Sequence, residues 1–226
     1  MHLGDLSLGM LPAIAIVGGN LPVAAGMALA FKLRGEKRVA VSFFGDGATN
    51  EGAFHEALNA AAVYELPALF VCENNLYGAS TAYARVSKVE NVADRAGAYG
   101  LASAIADGME VFAVYAAARQ ALQRARSGGG PTLLELKTFR LCGHSRRDPN
   151  NYMTKEEKEH WAARDPIPAC GRALEAAGFL DEAASKHLKE EVTAEVQAAI
   201  RAGQQAAAPS PEALYEDLYV SMEVPR

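Results

Sequence analysis

Three short apolar runs, spaced by segments of helix length, constrain this chain more than any other feature. Residues 39–44 (VAVSFF) are nearly continuous in apolar character, and residues 69–72 (LFVC) and 133–136 (LLEL) read alike. Continuous apolar runs of this length are the mark of strands buried on both faces, as in parallel sheets. Between and around them the period changes to that of helices, over residues 21–33, 52–64 and 111–126. In residues 52–64, Phe54, Ala57, Leu58, Ala61 and Ala62 fall on one face. Strand and helix alternating at this spacing predict an α/β fold, a parallel sheet with helices on both faces.

From residue 166 onward the chain reads as helix, over roughly 168–177 and 181–205. Gly178 is a stop signal and Asp181 an N-cap for the second helix. Residues 206–211 (AAAPSP) read as a linker, and 212–220 as a short helix or docking tail. The expected division is therefore 1–165 for the α/β domain and 166–226 for a helical C-terminal region with linker and tail.

Composition removes several classes of function. Of 226 residues, 22 are Lys or Arg and 27 are Asp or Glu, a net charge of −5, without the basic stripe of a nucleic-acid binder. No charge falls between Asp5 and Lys32, a span long enough to imitate a membrane helix. Pro12, Gly18, Gly19, Asn20, Pro22 and Gly26 interrupt it, and the leading segment has no Lys or Arg as a secretory signal requires. Neither a membrane nor a nucleic-acid partner is expected. The three cysteines, Cys72, Cys142 and Cys170, form no CxxC. That argues against a zinc ribbon or a disulfide framework and fits a reducing, cytoplasmic setting.

Chemistry concentrates where strands end. GDGATNEG, residues 45–52, follows the first strand and precedes a helix. In an open α/β sheet this is the carboxyl edge, where ligands collect. Glycine allows close backbone approach, and a helix N-terminus favours phosphate. Asp46 beside bare phosphate would be repelled; a divalent cation between them removes the conflict. Alone, the segment is equally a surface turn. The second strand ends in CENNLYG, residues 72–78, whose two asparagines can add a hard oxygen ligand on the same edge. An octahedral Mg²⁺ would be filled by the Asp46 carboxylate, an Asn oxygen, a backbone carbonyl, two diphosphate oxygens and a water.

GDG, 26 residues, then NN resembles the thiamin-diphosphate binding motif. GDGATNEGAFHEALN, FVCENNLYG, DRAGAYG and FRLCGHSRRDPNNYMTKEEKEHW are similar to the α subunits of heterotetrameric 2-oxo acid dehydrogenase E1 components of pyruvate, branched-chain or acetoin type. The resemblance covers nearly the whole chain and implies the thiamin-diphosphate-binding fold. It also implies thiamin diphosphate and Mg²⁺ as cofactors. The metal ligands would be Asp46 and Asn75 through their side chains and Tyr77 through its carbonyl. Gly47 and Ala48 would meet the diphosphate through backbone N–H groups, and Ala15 and Val17 would hold the aminopyrimidine through theirs. His144 would stand near the cofactor in acyl transfer. The implied activity is oxidative decarboxylation of a 2-oxo acid, pyruvate first, with acyl transfer to a lipoyl-bearing E2. The implied partner is an E1 β subunit in an α2β2 heterotetramer. That β subunit supplies the glutamate that activates the cofactor, so Glu51, Glu56 and Glu73 are not assigned to this role. The chain would be active only with it.

Acetoin cleavage or a branched-chain substrate is the alternative, as is a non-catalytic assembly subunit. The latter rests on a chain that starts inside a family motif, at MHLGD. A nucleotide-binding α/β protein would carry GxGxxG or a Walker lysine, and a transketolase-like half would lack the GHS loop. Three positions depart from the family. Arg147 stands where eukaryotic members carry a phosphorylatable serine. Met153 replaces an arginine that helps order the loop. Ala79 replaces a larger apolar residue under the cofactor. His2, His55, His160 and His187 are expected to be exposed or packed, and Cys142 to be a small buried hydrophobe. Trp161 and Tyr152 are expected to pack the helix after the GHS loop, while Arg146 and Arg147 form a solvated patch or order the loop by pairing.

Overall fold

The structure is a computed structural model and describes residues 3–215. It divides into two compact units, Met1–Cys170 and Gly171–Arg226. The first holds a four-stranded sheet of β1 (Ala40–Gly45), β2 (Ala68–Asn74), β5 (Ala102–Asp107) and β6 (Thr132–Lys137). Their order is β1-β2-β6-β5, every pair parallel. A two-stranded antiparallel hairpin, β3 (Tyr77–Gly78) with β4 (Thr81–Ala82), follows β2. The parallel sheet of the expected α/β class is present, and β1, β2 and β6 coincide with the three apolar runs to within a residue or two.

Side chains alternate across the sheet and meet a different layer on each face. On one face Ala40, Phe44, Phe70 and Leu133 pack under α1 (Asn20–Leu33), α2 (Gly52–Val63) and the 3₁₀ stretch Val92–Tyr99. Leu21, Ala24, Ala25 and Ala28 of α1 are buried, as are Phe54, Ala57, Leu58 and Ala61 of α2. Both sets repeat at i, i+3, i+4, i+7, the stripe a core-facing helix needs. Phe44 and Phe54 close the layer with ring centroids 5.7 Å apart. On the other face Leu69, Val71, Leu134 and Leu136 meet Ala121 of α4 (Val111–Arg126). α4 starts on Glu110, whose carboxylate accepts from the N–H groups of Phe112 and Ala113. It leaves β1 uncovered there, with Val41 and Phe43 exposed.

Among the elements not anticipated are β5 and a turn after β1. β5 reads ASAIAD, and alanine and serine carry little strand signal; it forms because it pairs at the edge with the buried β6. The GDG turn does not run directly into α2. A 3₁₀ turn, Asp46–Asn50, intervenes. Past it, α3 (Tyr83–Val86) precedes the 3₁₀ stretch, and α5 (Lys155–Ala162) begins on Thr154, whose hydroxyl accepts from Glu157 N–H. α6 (Pro166–Ala176) is followed by Gly178 in a left-handed conformation, φ 76°, the backbone state glycine adopts freely. In the second unit α7 (Glu182–Gln205) is capped by Asp181, which accepts from Ala184 N–H. A 3₁₀ turn occupies Pro211–Tyr215; the remainder of the tail expected over 212–220 lies outside the described residues. Among these residues no helix is long and apolar enough to cross a membrane.

Phe54→Ala removes the largest fully buried side chain of the helix-side layer. Loss of this ring is expected to destabilise the first unit by about 3–5 kcal/mol, read as a lower urea midpoint at unchanged slope.

Candidate functional site

The parallel register brings the two motif turns together. Gly45 of β1 is opposite Glu73 of β2, so Asp46 and Asn74–Asn75 leave the sheet side by side at its carboxyl edge. Gly47 and Gly78 hold the two turns in contact. A Cβ on Gly47 would lie 3.2 Å from Gly78 Cα, and one on Gly78 would lie 3.3 Å from Gly47 Cα. Both spacings leave no slack for a side chain, which accounts for glycine at each.

Asp46 is 1% exposed, and neither of its carboxylate oxygens accepts a hydrogen bond. Burial pushes its pKa up, and the negative charge of Glu135 adds to this. The N–H groups of Asp46 itself and Asn75 and the charge of Arg140 oppose it without reversing it. The N–H groups lower the charge's cost without meeting hydrogen-bond geometry. A buried carboxylate with two free oxygens is costly unless a cation meets it. The adjoining turn carries two further oxygen donors, the Asn75 amide oxygen, which accepts from Tyr77 N–H at 3.3 Å, and the Tyr77 carbonyl. This donor set is all oxygen, the kind Mg²⁺ prefers. Among the described residues no group of three His, Cys, Asp or Glu could hold a metal, so a thiolate or imidazole site has no support. The residues present fit a hard divalent cation. Gly47 and Ala48 lie in the first turn of the 3₁₀ helix, where N–H groups point forward and unmatched, and Thr49 Oγ donates to Asp46 O at 2.7 Å to brace it.

The loop with Ala15 and Val17 reaches the same rim. Both residues are exposed, but Gly18 between this loop and α1 packs so that a Cβ there would lie 3.4 Å from Glu51 Cβ and 3.8 Å from Ala48 O. Asn20 secures the loop to β1, its amide donating to Ser42 Oγ at 2.9 Å and Phe43 O at 2.8 Å.

His144 is exposed in the loop after β6, beside a cavity of about 390 Å³ lined by Ala79, Ser80, Asp148 and Tyr152 among others. Its position is set through its backbone, whose N–H donates to Asp148 Oδ2 at 2.7 Å. Tyr152 Oη donates to the same oxygen at 2.6 Å. Arg140 donates to Tyr152 Oη at 2.7 Å and Ala79 O at 2.6 Å, with a longer contact to Tyr77 O at 3.4 Å. A continuous polar relay thus joins the Tyr77 carbonyl to the His144 backbone.

Sequence reasoning missed Arg140, the residue that orders this loop. Among the described residues Arg146 and Arg147 are exposed and pair with nothing, so the solvated alternative is the one seen. Met153, where the family arginine is absent, is 4% exposed and packs inward. Tyr152 does more than pack, since it carries the relay. Trp161 packs as expected, stacked on Phe139 at 5.4 Å, while Tyr77 Oη donates to Glu157 Oε2 at 2.8 Å and docks α5. Burial, then Glu157, pushes the Tyr77 phenol up to about 12.

The expectation for Cys142 is corrected: its thiol is exposed, because polar contacts rather than a core hold this loop. Cys72 is the buried cysteine, and burial raises its thiol further. His55 packs, its Nδ1 against Tyr99 Oη at 2.5 Å; His160 stands edge-on to Trp161, His187 is exposed, and His2 lies outside the described residues.

Residues 1–212 match the family described as dehydrogenase E1 component, and the chain belongs to that family. Membership implies thiamin diphosphate as cofactor, a β subunit as partner and assembly with E2. The chain is 42% identical over 99% of its length to the α subunit of acetoin:2,6-dichlorophenolindophenol oxidoreductase of Bacillus subtilis (strain 168), covering 67% of that protein. It is 41% identical over 98% of its length to the subunit of the same name from Cupriavidus necator, again covering 67%. With the pyruvate dehydrogenase E1 component α subunit of Porphyra purpurea it shares 42% identity over 74% of its length, covering 51% of that protein. The chain thus spans between half and two thirds of the length of these relatives.

Tyr152 first, then the N–H groups of Asn150 and His144, hold the Asp148 carboxyl down to about 2 from an ordinary 3.8. A carboxyl lowered on folding supports the loop fully above 3.8 and loses that support as pH falls through about 2. In Tyr152→Phe the Asp148 midpoint is expected to rise toward 3.8, so the loop loosens at higher pH. A carboxyl-carbon NMR titration of the two proteins checks this.

Proposed function

We propose that this chain is the cation- and diphosphate-binding half of a thiamin-diphosphate-dependent E1 enzyme, acting on a 2-oxo acid, pyruvate first, and passing the acyl group to a lipoyl-bearing E2. The single observation that carries the reading is Asp46, buried with both oxygens unmet at the carboxyl edge of the sheet. In this reading Asp46 and Asn75, with the Tyr77 carbonyl, bind Mg²⁺, and the Gly47 and Ala48 N–H groups bind diphosphate. The backbone of Ala15 and Val17 orients the aminopyrimidine. When bound, thiamin diphosphate supplies the electron sink for decarboxylation. The protein's own contribution is orientation and charge. Asp46 offsets the cation, the glycine pair fixes the distance between the two turns, and the Arg140–Tyr152–Asp148 relay presents His144 at the mouth of its cavity for proton handling during acyl transfer. Residues 1–165 carry these functions and 166–226 serve assembly. A β subunit in an α2β2 assembly provides the group that activates the cofactor, in a cytoplasmic complex.

Acetoin cleavage is the second reading. It is favoured by the two acetoin-type relatives, 42% and 41% identical over almost the whole chain, where a pyruvate-type subunit matched over 97% of it is 36% identical.

The test uses this chain co-expressed with its β-type partner. Calorimetric titration with thiamin diphosphate and Mg²⁺ is expected to show binding that Asp46→Ala weakens by more than about 100-fold, beyond the span typical of supporting residues. His55→Ala should bind as the parent does. Equal behaviour of the two variants would remove the metal assignment. Dye reduction with pyruvate, branched-chain 2-oxo acids and acetoin then separates the two substrate readings.

A further inference from the structure

Glu135 is an acid in the middle of β6, an apolar strand, and it is 0% exposed. It lies on the face of Leu133, opposite Cys72 of β2. Three donors from three places converge on its carboxylate. Asn74 Nδ2 reaches Oε1 at 2.7 Å, Lys137 Nζ reaches Oε1 at 2.7 Å, and Ala93 N–H reaches Oε2 at 2.8 Å. Asn74 ends β2, Ala93 opens the 3₁₀ stretch and Lys137 ends β6 itself. Desolvation alone would raise the carboxyl's pKa, but the Ala93 N–H, Lys137 and Asn74 outweigh it and the net shift is downward. Glu135 is therefore a buried anion satisfied by its neighbours.

We propose that Glu135 is a positioning residue for the cation site: it fixes the orientation of the Asn74 amide, and Asn74 in turn fixes the turn that presents Asn75 and the Tyr77 carbonyl. The inference rests on the functional reading above. The geometry is directional. With Nδ2 given to Glu135, Asn74 Oδ1 faces the other way and accepts from Leu76 N–H at 3.2 Å. Leu76 sits at φ 71°, a left-handed state that leucine seldom adopts unaided. If the amide turned over, its oxygen would face the Glu135 carboxylate and its NH₂ would face Leu76 N–H, two wrong pairings at once. The carboxylate thus permits one rotamer only. A glutamine at 135 would bring an NH₂ against one of the three converging donors, so the negative charge and two acceptors are both needed. The same charge lies near Asp46 and adds to the attraction of the site for a divalent cation without touching it. Outer groups that orient ligands commonly matter tenfold to a hundredfold in metal affinity.

The experiment compares the parent complex, Glu135→Gln, the exchange Asn74→Asp with Glu135→Gln, and Asp46→Ala. Two quantities are measured: Mg²⁺-dependent thiamin diphosphate affinity by calorimetry, and amide exchange at Leu76 in cofactor-free protein. Glu135→Gln is expected to weaken binding about 10- to 100-fold and to speed exchange at Leu76. The exchange variant restores a donor facing an acceptor between positions 74 and 135. It is expected to recover at least about tenfold of the affinity, which a merely structural role would not predict. Parental affinity and Leu76 exchange in Glu135→Gln would overturn the proposal, as would a folded exchange variant that recovers neither. If Asp46→Ala also binds as the parent does, the cation site itself is misplaced, and the role of Glu135 falls with it. Failure at Glu135 with loss at Asp46 leaves the site standing.

Discussion

A carboxylate sealed from water with both oxygens unbonded is a liability that the rest of this fold has to accommodate, and Asp46 is such a group. Burial of an ionised carboxylate costs several kcal/mol unless a counter-charge or strong donors compensate. The surrounding chain is arranged around that cost. β1 and β2 are paired so that Asp46 emerges beside the Asn74–Asn75 turn. Two glycines let the turns touch, and Thr49 braces the 3₁₀ turn. None of these features neutralises Asp46. They hold it at the carboxyl edge with both oxygens unmet.

Two polar assemblies leave the same sheet edge in different directions. Glu135 works from inside, through Asn74, on the turn that carries Asn75 and Tyr77. Arg140 works from outside, gripping the carbonyls of Tyr77 and Ala79 and reaching Asp148 through Tyr152. Tyr77 is common to both. Its carbonyl accepts from Arg140, its ring contacts Tyr152 at 5.5 Å, and its hydroxyl docks α5 through Glu157. Contacts already in place therefore link the turn to the His144 loop without involving the sheet.

What the sequence made legible follows from where the information is local. The strands at 39–44, 69–72 and 133–136 announce themselves as apolar runs. The core helices announce themselves by periodicity, and α7 by its Asp181 cap. GDG and NN are visible because each lies within one turn. Glu135 and Arg140 were hidden for the opposite reason. The partners of Glu135 at Asn74 and Ala93 are 61 and 42 residues away, and those of Arg140 at Tyr77 and Ala79 are 63 and 61 away. An acid inside LLEL looks like a strand residue on the polar side until the sheet order shows that no polar side exists there. β5 was hidden because its alanines and serine have no strand preference of their own; the buried neighbour β6 imposes the conformation. Cys142 was misjudged because the lack of a catalytic base near it in sequence says nothing of burial in a loop held by distant hydrogen bonds.

The distribution of these groups also separates stability from function. The face under α4 is built from Leu69, Val71, Leu134, Leu136 and Ala121, with Thr132 the one buried polar side chain of β6 on it. The face under α1 and α2 carries Ser42 in mid-strand, bonded to Asn20, and turns polar toward the carboxyl ends of β2 and β6 with Asn74 and Glu135. A change from apolar to polar within one face and one strand length places the low-dielectric core directly behind the charged site. Electrostatic interactions strengthen as water is excluded, so the same packing that raises the cost of burying Asp46 sharpens its attraction for a cation. The core does not merely support the site. It sets the dielectric in which Asp46 and Glu135 act, and the buried carboxylates of the sheet, Asp46 and Glu135, both lie toward its carboxyl edge.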